Sequence, residues 1–151
     1  MPRPAAPNAG FAAYLIARDA PRVIDFLQRA FDAEITHAPL KRPDGTIMHA
    51  EVKISDSRVM IAEESQMAKA APSSLYLYVA NVDSVYRQAI EAGGKTIMAP
   101  MDMFYGDRSG GVKDPAGNSW MIATHQEDVA PHELAKRAES FFRHAQQKKL
   151  A

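Results

Sequence analysis

His49 and Glu51 stand two residues apart in Ile47–Ile54, where Met48, Ala50, Val52 and Ile54 alternate with His49, Glu51 and Lys53. That alternation predicts a strand with its apolar set buried and His49 and Glu51 side by side on the other face. A histidine oriented and charged by a neighbouring carboxylate can serve as a general base, so the two are the candidate catalytic pair. A solvated sheet face carries the same residue types. Tyr76 and Tyr78 repeat the spacing: Leu75, Leu77 and Val79 take the core side, leaving two phenols either to stack on a flat ligand or to plug a barrel mouth. By parity, His49, Glu51, Tyr76 and Tyr78 face one cleft. Asp107 and Arg108 follow Gly106 and either pair or bridge loop carbonyls. His125, Glu127 and Asp128 leave the last strand together, as a metal or acid–base cluster or, for Asp128, as the cap of a final helix. Met98, Met101 and Met103 offer soft lining, for a permissive pocket or a plain core. Trp120 alternates away from Met121, toward the core.

These residues need elements to hold them. Met1–Gly10, with three prolines, reads as a loose arm. Phe11–Ala17 reads as a strand, and Asp19 before Pro21 caps a helix over Pro21–Asp32 with Val23, Ile24, Leu27, Ala30 and Phe31 on one stripe. Ala33–Ala38, Ile47–Ile54 and Arg58–Glu63 follow as strands, the first turning through Arg42–Thr46. After a linker at Gln66–Ser73 the order repeats: strand Leu75–Val79, helix Val82–Ala92 ended by Gly93-Gly94, then strands Lys95–Met101, Tyr105–Lys113 and Ser119–Thr124. At an offset of 59 residues Val23 meets Val82, Leu27 meets Tyr86 and Ala30 meets Ala89. This is an internal repeat of strand, helix and three strands. One copy buries a single sheet face under its helix, so two must pair. The expected fold is α+β: two paired βαβββ modules, about 11–65 and 74–125, forming a curved mixed sheet around a cleft in one domain over 11–129. A helix over 130–151 closes the chain, with Leu134, Ala138, Phe141, Phe142 and Ala145 as its stripe and Gln146–Ala151 fraying.

The stretch from Gly106 to His125 is the most specific in the chain. Asp114-Pro115-Ala116-Gly117 is a stiff turn between Val112-Lys113 and Ser119–Thr124, with Pro second and Gly fourth. Strand, Asp-Pro-x-Gly, strand resembles the end of each module in the glyoxalase/bleomycin-resistance/extradiol-dioxygenase superfamily, the vicinal oxygen chelate proteins. Gly-Asp-Arg-Ser-Gly with Trp-x-Ile-Ala-Thr-His-x-Glu-Asp-Val resembles its PhnB-like branch. In metal-dependent members, similar modules place His, Gln or Glu on the first and last strands to hold one divalent ion in the cleft. The resemblance carries those positions onto Ala12, Glu63, Ser74 or Tyr76, and Met121, where Glu63 is the one good ligand. One carboxylate among Met and Ala does not make a zinc, nickel, iron or manganese site. The expectation is therefore no metal and no cofactor.

Composition bounds the rest. With 151 residues, 46% hydrophobic and 24% charged, the chain suits one domain with a real core. Eighteen Lys and Arg balance eighteen Asp and Glu, so no global field draws it to nucleic acid or an anionic membrane. The lack of a long apolar run or signal-like start leads to a cytoplasmic expectation. Zero Cys removes disulfides, thiolate metal sites and cysteine nucleophiles. The expected protein is a homodimer that binds or sequesters a small organic molecule through Tyr76, Tyr78, Tyr105, Arg108 and Met121. The alternative is a lyase or dioxygenase-like enzyme using a divalent metal or the His49/Glu51 pair.

Overall fold

The computed structural model describes residues 10–151, so most of the expected arm lies outside the described residues. Eleven elements follow: β1 (Ala13–Ala17), α1 (Ala20–Phe31), β2 (Glu34–Lys41), β3 (Ile47–Ile54), β4 (Ser57–Glu63), β5 (Ser74–Tyr78), α2 (Val82–Glu91), β6 (Lys95–Asp102), β7 (Asp107–Lys113), β8 (Ser119–His125) and α3 (Pro131–Leu150). They form two four-stranded mixed sheets, ordered β1-β4-β3-β2 and β5-β8-β7-β6. In each, the first and last strands of the module run parallel and the rest antiparallel. This is the α+β repeat that the sequence predicts.

Local chemistry explains the helices. Asp19 accepts a hydrogen bond from the Arg22 N–H and Pro21 sits in the first turn of α1, while Asn81 accepts from the Ser84 N–H to start α2. The caps lie 62 residues apart and β4 and β8 begin 62 apart, so the structural offset exceeds the 59 read from the helices. A three-residue slip is close to one helical turn, which lays one apolar stripe on another and hides the error.

Val23, Phe26, Leu27 and Ala30 of α1 pack on Leu15, Val52 and Ile61, and the same core continues through Val82, Ala89, Val112, Trp120 and Ile122. The modules meet through their helices. Gln88 Nε2 donates to Arg29 O and to Asp32 Oδ1, both at 3.0 Å, and the Phe31 and Trp120 rings lie 5.1 Å apart. Parity on β3 holds for Ala50, Val52 and Ile54 but fails at Met48, which is 45% exposed while Ile47 is buried. Facing that end of β3, β2 shifts register between Leu40 and Lys41.

The Asp-Pro-x-Gly turn forms as expected, with Gly117 N–H donating to Asp114 O at 3.0 Å and Gly117 at φ 83°. Its Asp does more than turn the chain. Buried Asp114 accepts from the Ala116 and Asn118 amides, the Asn118 side chain and Trp120 Nε1 at 2.8–3.0 Å, tying the turn to the core. The expected strand start at Tyr105 is corrected: 103–106 is a turn, closed by Met103 N–H to Asp107 O at 2.7 Å, and β7 begins at Asp107. α3 is helical to Leu150 instead of fraying from Gln146, and none of its residues is buried.

Candidate functional site

Cross-strand neighbours in a sheet share a face, so register places the side chains. Tyr76 lies opposite Met121 and Met121 opposite Gly111; Tyr78 lies opposite Ala123, Ala123 opposite Ser109, and His125 opposite Asp107. Tyr76, Tyr78, Met121, Ser109, Asp107 and His125 thus occupy the face of the second sheet that α2 does not cover. Gly111 is glycine for space: a Cβ there would meet Met121 Sδ at 2.6 Å.

Asp107, 4% exposed, organises this face. Its Oδ2 accepts from the Tyr76 hydroxyl at 2.9 Å and the Tyr78 hydroxyl at 3.3 Å, and its Oδ1 meets His125 Nδ1 at 2.8 Å. His125 Nε2 reaches Asp128 Oδ1 at 2.8 Å. Burial pushes the Asp107 carboxyl up, but hydrogen bonds from His125, Tyr76 and Tyr78 outweigh it and hold it below the usual value. Hydrogen bonds to Asp107 and then Asp128 raise the His125 imidazole. Tyr76 is raised by burial and then by the neighbouring Tyr105 phenol, and Tyr78 by burial and the Asp107 charge. The two rings lie 5.2 Å apart and are tilted by 52°.

Two grooves run along the seam between the modules. One, of about 570 Å³, is lined by Arg58 and Met60 of the first module and Tyr76 of the second. The other, of about 690 Å³, takes in Phe31, Tyr78 and His125. Ile54 and Leu77 line both.

Several expected site residues sit elsewhere. Arg108 is a correction: the strand alternates, so Asp107 faces the tyrosines and Arg108 turns to the helix side. There Nε and Nη2 donate to Asp83 of α2 at 2.8 and 2.9 Å, and Nη1 to Asp102 at 3.3 Å. Glu51 and His49 do not form the expected dyad. Glu51, 6% exposed, pairs with Arg58 Nε at 3.2 Å and accepts from Thr36 Oγ1 at 3.1 Å. His37, across the ladder on β2 and not singled out in sequence, approaches it at 3.7 Å. His49 instead meets the Tyr14 ring edge-on at 6.0 Å. Tyr105 sits in the 103–106 turn against Phe104, close enough to act on Tyr76. Asp128 does not cap α3, whose N-cap Ala130 makes no side-chain hydrogen bond; it holds His125 instead. Glu127 pairs with Arg137 of α3. The Asp107–His125 contact escaped the sequence because 18 residues separate the two; the hairpin register alone joins them.

The positions onto which the superfamily's metal ligands map do not fit a divalent ion. Glu63, the sole carboxylate, accepts the Ile47 N–H at 2.5 Å, the Tyr76 hydroxyl is committed to Asp107, and Met121 offers only a thioether. Among the described residues no group of three or more His, Cys, Asp or Glu is arranged to hold a metal.

Fold, module order and this sheet face define a class, and comparison with known proteins agrees. Residues 10–122 match the model of the Glyoxalase/Bleomycin resistance protein/Dioxygenase superfamily. The chain belongs to that superfamily. It is 32% identical over 133 residues to the uncharacterised protein Mb0911c of Mycobacterium bovis, covering 80% of this chain and 86% of that one. Among solved structures it is similar to TioX from Micromonospora sp. ML1, at a TM-score of 0.62 and 26% identity over 77% of this chain and 99% of the other. It also shares its fold with a PhnB protein from Bacillus cereus, at a TM-score of 0.60 and 20% identity over 76% and 98%.

Proposed function

We propose that this protein binds or sequesters a small organic molecule without a metal, as a cytoplasmic homodimer, holding the ligand at the module seam with Tyr76, Tyr78 and Met121. The observation that carries this is the tyrosine pair: residues 44% and 59% exposed, one lining each groove, with both hydroxyls fixed on buried Asp107. Preset aromatic rings bind flat ligands with little loss of side-chain entropy. Met121 beside them supplies a polarizable, adaptable surface. Two tests apply. Protein purified untagged and exposed to zinc, nickel, iron and manganese is expected to retain far less than one equivalent by elemental analysis, and Glu63→Ala to change nothing; near one equivalent, lost in that variant, refutes the metal-free reading. Tyr76→Ala is expected to weaken binding of aromatic test compounds by roughly 1–3 kcal/mol, the scale of one large buried side chain.

The homodimer reading draws support from apolar surface on the outer strands and α3. Ile35 and Leu40 of β2, Ile97 and Met101 of β6, and Phe142 of α3 all stand exposed, and a second copy is the partner always at hand.

The Asp107–His125 contact favours a second reading, a metal-free acid–base enzyme, over one built on His49 and Glu51. Both His125 nitrogens are engaged by carboxylates, so the ring must first give up its Nε2 proton and leave Asp128 before it can take a proton from substrate. Turnover of a bound compound that His125→Gln abolishes and His49→Ala leaves intact would establish it.

A further inference from the structure

We propose that the seam selects a planar, cationic ligand bearing N–H donors, a protonated aromatic amine or amidine, and rejects planar anions. This deepens the binding reading above and rests on it.

The argument follows the protons. Carboxylate oxygens only accept, so each group bonded to Asp107 must donate: the Tyr76 hydroxyl, the Tyr78 hydroxyl and His125 Nδ1. Asp128 accepts as well, which commits His125 Nε2 to donating and makes the ring an imidazolium. The Tyr76, Tyr78 and His125 protons therefore all point to carboxylates. What the tyrosines show outward is the lone pairs of their oxygens. A ligand N–H can bond to those, whereas a ligand carboxylate, sulfonate or phosphate finds no proton free on Tyr76, Tyr78 or His125.

Charge points the same way. Of the ionisable groups lining the two grooves, Arg58 is tied to Glu51 at 3.2 Å and His125 to two carboxylates. Asp56 lines the smaller groove and Asp32 the larger. Arg108, the cation among the ligand-binding residues expected from the sequence, is turned away to Asp83 and Asp102. The lining thus carries uncompensated negative charge beside two electron-rich rings, and aromatic faces attract cations.

The test is a pair of fluorescent probes of similar size and opposite charge, proflavine (a planar cation with two amino groups) and 8-anilinonaphthalene-1-sulfonate, titrated at neutral pH into the full-length chain. Proflavine is expected to bind at least about tenfold more tightly than the sulfonate, to lose about tenfold in Tyr76→Ala and to lose about threefold in the exposed-site variant Asp56→Asn. If the sulfonate binds as tightly as proflavine and both depend on Tyr76, the charge selection is wrong and the binding reading stands. If neither probe responds to Tyr76→Ala, both fail. Should Tyr76→Ala not fold by circular dichroism, Tyr78→Ala and Asp56→Asn decide, and unchanged proflavine affinity in both overturns the proposal.

Discussion

At Asp107 a single buried carboxylate gathers two phenols and an imidazole, and its ionisation links site to stability. The folded carboxyl is depressed, so its contribution is present above the unfolded value and is lost as acid protonates it. His125 is raised above 6.5, so its contribution is full below the unfolded value and is lost as pH rises through the higher folded one. The pair therefore works best in mildly acid solution. The stability advantage of the native protein over His125→Asn, measured by urea midpoint, is expected to be larger at pH 6 than at pH 9; an advantage that grows toward pH 9 contradicts the assignment. Gly106, next to Asp107, makes a second prediction. It sits at φ 101°, and a Cβ there would fall 2.3 Å from Glu127 O, while its own carbonyl accepts the Gln126 and Glu127 amides. Gly106→Ala is expected to cost about 1–3 kcal/mol in thermal or urea unfolding, because neither the backbone angle nor the contact can relax alone.

Among the elements, α3 is the outlier. Each of the other two helices buries one side on its sheet, whereas α3 holds on by the Glu127–Arg137 ion pair, Arg137 donating to Phe104 O at 3.3 Å, and the Phe104 and Phe141 rings 5.1 Å apart. Those are surface contacts of modest worth. A chain ending after Val129 is expected to keep one cooperative unfolding transition and to lose no more than about 1–2 kcal/mol. Loss of folding would mean that α3 belongs to the core. The apolar stripe on α3 was legible in the sequence, but periodicity identifies an amphipathic helix and not its partner; Phe142 is 60% exposed.

For the whole molecule, exposed apolar side chains on β2, β6 and α3 lead to the expectation of a homodimer at micromolar concentration. Light scattering is expected to return about twice the 16.6 kDa chain mass. A monomer would leave the seam as the complete binding site within one chain. The seam is already built from both modules, since Arg58 and Tyr76 line one groove and Phe31 and Tyr78 the other.

The repeat, the module order, both helix caps and the Asp-Pro-x-Gly turn follow from residues close in the chain, because capping, turn geometry and period-two alternation are short-range physics. Parity likewise put Tyr76 and Tyr78 on one face, where they are found. Partnership is different. Asp107 and Arg108 are adjacent, equally polar and equally open to reading as a pair, yet pleating sends one to the tyrosine–histidine cluster and the other to Asp83. Glu51 lies two residues from His49 but is claimed by Arg58 and Thr36 on neighbouring strands. A buried carboxylate takes whichever donors the sheet register brings within about 3 Å. Register is a property of strands meeting across the fold, so the site's electrostatics were decided only by the tertiary structure.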